Sequence, residues 1–328
     1  MPRVVELAGG VGGAKLAEGL QAAVGADLTV VVNTGDDFDH LGLRICPDLD
    51  TVLYTLGGLA DPVRGWGRQD ETWNFMEAIR GLGGESWFQL GDRDLALHVE
   101  RTGSLRDGST LTAFIAHAAR QFGIAAQILP MTDDDVRTMV TTEEGTLVFQ
   151  RYFVERRCAP AVRALEFVGA AFARRVAALD RPAADPALRA IVICPSNPYL
   201  SIDPILAVPG IRQLLEQAAV PVIAVSPLIG GQAVKGPTAK IMAELGIPAT
   251  TAAIAAHYRP LIDGLLIDET DAADAAGLGV PVAVARTLMR DEDDRLRLAH
   301  ETLAFADRLR AGGDGRGRRT TTLTGRTA

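Results

Sequence analysis

The chain has 328 residues, 48% hydrophobic and 23% charged, the balance of a soluble globular protein with a sizeable core, not of a disordered or fibrous chain. A net charge of −8 argues against a general nucleic-acid binder, which needs a basic face, and no run of about 18 apolar residues offers a membrane span. Cys46, Cys158 and Cys194 form no CxxC pair and no apolar leader precedes the first strand, so a cytoplasmic protein with reduced thiols is expected.

Residues 3–10, "RVVELAGG", read as a buried strand ending in a glycine turn, and "AKLAEGLQAAV" as an amphipathic helix. The turn holds Gly9, Gly10, Gly12 and Gly13. A dinucleotide GxGxxG starting at Gly10 and Gly12 fails because Lys15 stands at the third glycine. A P-loop fails because Ala14-Lys15-Leu16 replaces GK[ST]. What survives is an anion site: free N–H groups at a helix N-terminus, with Lys15 in the first turn. The alternative use of the same glycines is close packing of helix on strand.

"DLTVVVNTGDD" is a second continuous apolar strand. Strand, helix and strand with unbroken Val/Leu runs indicate a parallel sheet covered on both faces. This strand ends in Asn33, Thr34, Gly35, Asp36 and Asp37, and "CPDLDTVLYTL" then adds Asp48 and Asp50. Carboxylates crowded beside a phosphate turn repel unless a divalent cation lies among them, and Mg²⁺ on hard oxygen ligands resolves the conflict. Asp48 can alternatively cap the helix near Thr51, and Asp36 can form a turn.

From Leu53 to Ala126 the period is mostly helical. "DPVRGWGRQDETWNF" sets Trp66 and Trp73 beside Arg64, Arg68 and Asp70, where a flat ligand can stack, although core packing is the commoner use of Trp. "WFQLGDRDLALHVERT" concentrates Asp92, Arg93, Asp94, His98 and Arg101. Arg93 either binds phosphate or pairs with its neighbouring aspartates; His98 reads as a helix-surface or packing residue, not a base. "VRTMVTTEEGTLVFQRYFVE" reads as a β-hairpin around Glu143-Glu144-Gly145. Residues 53–170 are expected to be an insertion covering the carboxyl end of the sheet.

"LRAIVICPSNP", "VPVIAVSPLIGG", "GLLIDET" and "VPVAVART" are further short apolar strands. The expected fold is therefore α/β: a Rossmann-like, doubly wound, mainly parallel sheet with a mostly helical insertion and a hairpin. Ser196 and Asn197 follow one strand; Gly230, Gly231 and Lys235 follow another, a composite nucleotide pocket at one sheet edge. One domain over 1–310 is expected, and "AGGDGRGRRTTTLTGRTA" from 311 to 328 reads as a disordered tail.

Taken in order, "GGVGGAKL", "VVNTGDD", "PDLDTVLYTL", "GWGRQDET", "LGDRDLALH", "TAFIAHAARQFGIAAQILPMTDD", "PSNPYLSIDPIL" and "SPLIGGQAVKGP" resemble the 2-phospho-L-lactate transferase family over roughly residues 3–270. The sequence of "PDLDTV", "LGDRD" and "SNP" is the specific part. The resemblance implies a Rossmann-like, commonly dimeric, Mg²⁺-requiring enzyme of coenzyme F-420 biosynthesis. It would transfer a phospho-three-carbon-acid group (phospholactate, or phosphoenolpyruvate or 3-phosphoglycerate in bacterial relatives) from a guanosine diphosphate-linked donor. The acceptor would be the terminal ribityl hydroxyl of the deazaflavin Fo, and GMP would leave.

On that resemblance the donor falls to Gly10, Gly12, Gly13, Lys15, Asn33, Thr34, Gly35, Asp36, Ser196, Asn197, Gly230, Gly231 and Lys235. Asp50, Thr51, Gln89 and Arg93 would meet Fo; Gln89 stands where a basic residue is frequent, so Arg93 is the expected charge. Asp37 and Asp50 would hold Mg²⁺ and serve catalysis, with Asp50 or a neighbouring aspartate taking the hydroxyl's proton. The alternative is a non-catalytic, nucleotide-sugar-binding regulatory protein of related fold; "PDLD" and "LGDRD" favour the transferase. A NAD-dependent dehydrogenase would use Asp36 for the ribose, but the third glycine and a convincing catalytic His are missing.

Overall fold

The computed structural model describes residues 3–234 and 236–312. Along the chain come β1 (Arg3–Ala8), β2 (Leu28–Val32), a hairpin of β3 (Phe38–His40) and β4 (Leu43–Ile45), and β5 (Gln127–Pro130). Next are β6 (Arg137–Thr142), β7 (Gly145–Val148), β8 (Val162–Val168), β9 (Leu188–Ile193) and β10 (Val222–Val225). A small hairpin, β11 (Leu228–Ile229) with β12 (Gln232–Ala233), precedes β13 (Gly264–Asp268) and β14 (Val282–Ala285).

Seven of these strands form one parallel sheet in the order β14-β13-β10-β9-β1-β2-β5. The chain winds outward from β1 through β2 to β5, then returns to β9 on the other side of β1 and winds outward again. The direction of winding reverses between β1 and β9. The crevice at their carboxyl ends is where an open sheet of this kind takes ligands.

The apolar runs explain the two-sided burial: Val4, Val5, Leu7, Val30, Val31, Val32, Ile191, Val192 and Ile193 are all buried, as strands sandwiched by helices must be. Among them sits one acid, Glu6, fully buried in β1 between Val30 and Val192. On its face lie α1 (Gly10–Val24) and the last helix, Glu292–Ala311. These two cross closely because Gly19 has no side chain; a Cβ there would lie 2.1 Å from the Arg295 carbonyl oxygen.

Four further helices follow α1 in the first half: α2 (Pro47–Leu56), α3 (Asn74–Gly81), α4 (Asp92–Arg106) and α5 (Leu111–Gln121). The stretch expected as one insertion over 53–170 is interrupted, since β5 within it pairs with β2 as the edge of the central sheet. With four residues, "QILP" is too short to show a period. The expected hairpin is present as β6 and β7, and β8 joins the other side of β6, making three antiparallel strands. Most of the expected tail, from residue 313, lies outside the described residues. No helix among the described residues is long and apolar enough to cross a membrane.

Candidate active site

A cleft of about 690 Å³ opens at the reversal of winding, lined by the glycine turn, the start of α2, one face of α4 and the loop after β9. Gly10, with φ of +56°, turns the chain from β1 into α1. Gly12 is required by contact: a Cβ there would be 2.6 Å from the Pro195 carbonyl oxygen. At Gly13 it would be 2.9 Å from both the Ala8 Cβ and the Cys194 Sγ. Close packing and an open helix N-terminus are therefore both properties of this turn, with Gly10 and Gly12 on the cleft and Gly13 behind it.

No side chain of α1 caps its own N-terminus. Asp48, from the first turn of α2, instead accepts from the Gly10 amide. Its Oδ2 also accepts from the Asn33 amide nitrogen at 3.0 Å, and Asn33 is itself fully buried with its Oδ1 taking the Gly35 N–H at 2.8 Å. Asn33, Thr34 and Gly35 thus stand behind the cleft wall, and Asn33 positions an acid there.

Asp36 and Asp48 both line the cleft and are both buried. Burial and then repulsion from Asp48 push the Asp36 carboxyl well above the usual range. Burial pushes Asp48 up to about 6, with Asn33 and Gly10 pulling the other way. Asp36 Oδ1 is buried without a hydrogen-bond partner. Asp37 points elsewhere: its side chain is wholly enclosed and faces Arg44 at 3.8 Å, away from the cleft lining. Burial raises it to about 7 although Arg44 opposes the rise.

Asp50 meets Asp94 and His98 deeper in the cleft. On α4, Asp94, His98 and Arg101 follow at i, i+4 and i+7 and so share a face; on α2, Asp50 and Tyr54 do the same. Arg101, fully buried, donates to both oxygens of Asp50. His98 stands between the two carboxylates, its Nε2 3.2 Å from Asp94 Oδ2 and its Nδ1 3.7 Å from Asp50 Oδ2. The Tyr54 hydroxyl donates to Asp94 Oδ1. Asp50, Asp94 and His98 each bring a donor atom within 4.8 Å of the others.

Asp37 and Asp50, expected to share one cation, face different surroundings. Each of these two carboxylates already faces a guanidinium, whereas Asp36 and Asp48 have none paired with them among the described residues. His98, read from sequence as a packing residue, is in the cleft wall. The signal for it was the spacing of "DLALHVER", which puts Asp94, His98 and Arg101 on one helical stripe.

Of the other expected residues, Lys15, Thr51, Gln89, Ser196 and Asn197 line the cleft. The Lys15 ammonium donates to the Met289 carbonyl at 2.7 Å, the Thr51 hydroxyl to Pro47 at 2.8 Å and the Gln89 amide to Ser86 at 2.7 Å. Ser196 donates to the Gly9 carbonyl, and Asn197 Oδ1 caps the following turn by accepting from Tyr199 and Leu200. Gly230 and Gly231 do not line the cleft; their positive φ angles of +59° and +70° close the β11–β12 hairpin. Arg93 is outside too, exposed and 3.8 Å from Asp70. Lys235 lies outside the described residues. Trp66 is on the cleft with Phe88, Phe149 and Phe153, while Trp73 packs edge-on against Trp66 with Arg64 over its ring.

The family described as 2-phospho-L-lactate transferase CofD matches residues 4–289. The chain is 41% identical over 319 residues to a phosphoenolpyruvate transferase of Streptomyces griseus, covering 94% of this chain and 100% of that one. It is 42% identical to a phosphoenolpyruvate transferase of Kitasatospora aureofaciens (94% and 99% covered). Identity is 39% to a 2-phospho-L-lactate transferase of Methanopyrus kandleri (94% and 98% covered). Among solved structures, a UPF0052 family protein from Bacillus halodurans superposes with a TM-score of 0.58 at 16% identity, covering 92% of this chain and 98% of that one, which is a likeness of fold.

Proposed function

The chain belongs to the 2-phospho-L-lactate transferase family, and on that premise we propose that it moves a phospho-three-carbon-acid group from a guanosine diphosphate-linked donor to the ribityl hydroxyl of Fo. GMP is released, and the product is a precursor of coenzyme F-420. The Streptomyces and Kitasatospora relatives at 41–42% identity carry the name phosphoenolpyruvate transferase, which favours phosphoenolpyruvate as the transferred group. A soluble homodimer in the cytoplasm goes with the same reading.

The observation that carries the proposal is the convergence of three features on one cleft: the N-terminus of α1, the Asp36–Asp48 pair and the Asp50–Asp94–His98 cluster. Amide groups at the start of α1 and the Lys15 ammonium suit the diphosphate. Trp66, Phe88, Phe149 and Phe153 offer a flat deazaflavin ring an apolar wall. Ser196 and Asn197, at the carboxyl end of β9, suit the guanosine.

Asp36 and Asp48 fit a divalent cation. They supply hard oxygens beside the helix N-terminus, carry no paired cation, and keep Asp36 Oδ1 buried without a partner. Held by these two carboxylates, a magnesium ion would supply positive charge for the donor's phosphate oxygens. Asn33 and the Gly10 amide hold Asp48 in place for it.

The test is to mix the purified chain with Mg²⁺, Fo and each of the three guanylated donors, then assay GMP and the product mass. Release of GMP with Fo-dependent product supports the proposal. Tight donor binding without release would favour the nucleotide-binding regulatory alternative.

A further inference from the structure

On the transfer reading above, the acceptor hydroxyl must lose a proton as it attacks phosphorus, and we infer that His98 takes it, with Asp94 as the residue that positions the imidazole. The cleft offers three acceptor groups near one another: Asp50, Asp94 and His98. Asp50 is the sequence-based choice, but both of its oxygens accept from Arg101. Burial raises the Asp50 carboxyl above its ordinary range against the pull of Arg101, but with both oxygens engaged by the guanidinium neither is free to take a hydroxyl's proton. Asp94 accepts from Tyr54 and faces His98 Nε2 at 3.2 Å.

That leaves the imidazole. With Nε2 turned to the Asp94 carboxylate, the ring proton belongs on Nε2, and the lone pair is on Nδ1. Neither ring nitrogen is exposed or makes a well-aligned hydrogen bond, Nε2 being the nearer to a partner, and the residue is part of the cleft wall. Nδ1 is 3.7 Å from Asp50 Oδ2, too far for a hydrogen bond between them. The charged and titratable groups around the ring are Asp50 and Tyr54 from α2, and Asp94 and Arg101 from its own helix. A protonated ring would face two carboxylates and one guanidinium beyond Asp50. The same guanidinium, already neutralising Asp50, disfavours reading these three residues as a metal centre.

The step balances without a further reactant. The hydroxyl proton passes to Nδ1 as the oxygen's electron pair forms the new P–O bond. The bridging P–O bond to GMP breaks, its electron pair leaving on the GMP phosphate, and the imidazolium returns its proton to water. The products are the phosphodiester, GMP and one proton.

The experiment compares wild type, H98A, H98Q and D94N in the GMP-release assay, with melting temperatures and KM for each substrate. H98A and H98Q are expected to lose about 10²–10⁴-fold in kcat, the usual share of a general base, with KM values little changed. Imidazole added to H98A should restore turnover in proportion to its concentration. D94N should lower kcat without being rescued by imidazole. H98Q working at the wild-type rate would overturn the inference while leaving the transfer reading intact. A loss in H98A and H98Q that appears in KM or melting temperature and that imidazole does not relieve would also overturn it. No GMP release by wild type would remove both readings together.

Discussion

Arg101 lies wholly inside the protein and closes both terminal amino groups on the carboxylate of Asp50. The pair ties α4 to the first turn of α2, and the register of α4 then sets Asp94 and His98 on the cleft. Removing one partner leaves a buried charge unpaired. Arg101→Met should therefore cost about 3–5 kcal/mol in urea unfolding. Combining it with Asp50→Asn should recover part of that loss, and a single-variant loss below about 1 kcal/mol would contradict the assigned role.

Cation binding at Asp36 and Asp48 has a predictable pH dependence. Burial holds protons on both carboxyls, with Asp48 at about 6. A cation must displace those protons, so affinity rises with pH through that value. Mg²⁺ should raise the melting temperature more at pH 7.5 than at pH 5, and Mn²⁺ bound in an electron paramagnetic resonance titration should follow the same trend. Asp48→Asn should abolish both effects.

Two glycines should respond oppositely to alanine. Gly12→Ala drives a methyl group to 2.6 Å from the Pro195 carbonyl oxygen, and overpacking of that kind costs about 1–3 kcal/mol. Gly103, inside α4, has nothing within 4 Å of its Cβ position. Gly103→Ala should stabilise by roughly 0.5–1 kcal/mol through the loss of backbone freedom in the unfolded chain. Equal melting temperatures for the two variants would count against both packing arguments.

Glu6 gives the stability a pH slope unrelated to the cleft. Burial in β1 raises its carboxyl well above the ordinary range, so the folded chain holds a proton that the unfolded chain releases. Its contribution is complete below the ordinary carboxyl pKa and is lost as pH rises through the raised folded value. Relative to wild type, Glu6→Gln should flatten the fall in melting temperature between pH 5 and pH 8. A parallel pair of curves would show that Glu6 is not the cause.

The parallel sheet was legible because burial on both faces leaves a local mark, the unbroken Val, Leu and Ile runs of β1, β2, β9 and β10. The glycine turn was legible for a similar reason, since a tight strand-to-helix turn admits few residues. β5 was hidden because four residues carry no period, and β8 because its outer face is partly exposed.

Residue type and spacing alone determined that acids collect after β2 and at the start of α2 near a helix N-terminus. They also determined that Asp94, His98 and Arg101 share one stripe. Only the tertiary structure decided what each acid faces. Asp36 and Asp37 are adjacent and chemically equal, yet one opens on the cleft and the other on Arg44. Asp48 and Asp50 part in the same way, towards Gly10 and Arg101. The physical reason is that secondary structure follows from short-range pattern, whereas the charge and basicity of a buried group depend on the groups that distant segments pack against it.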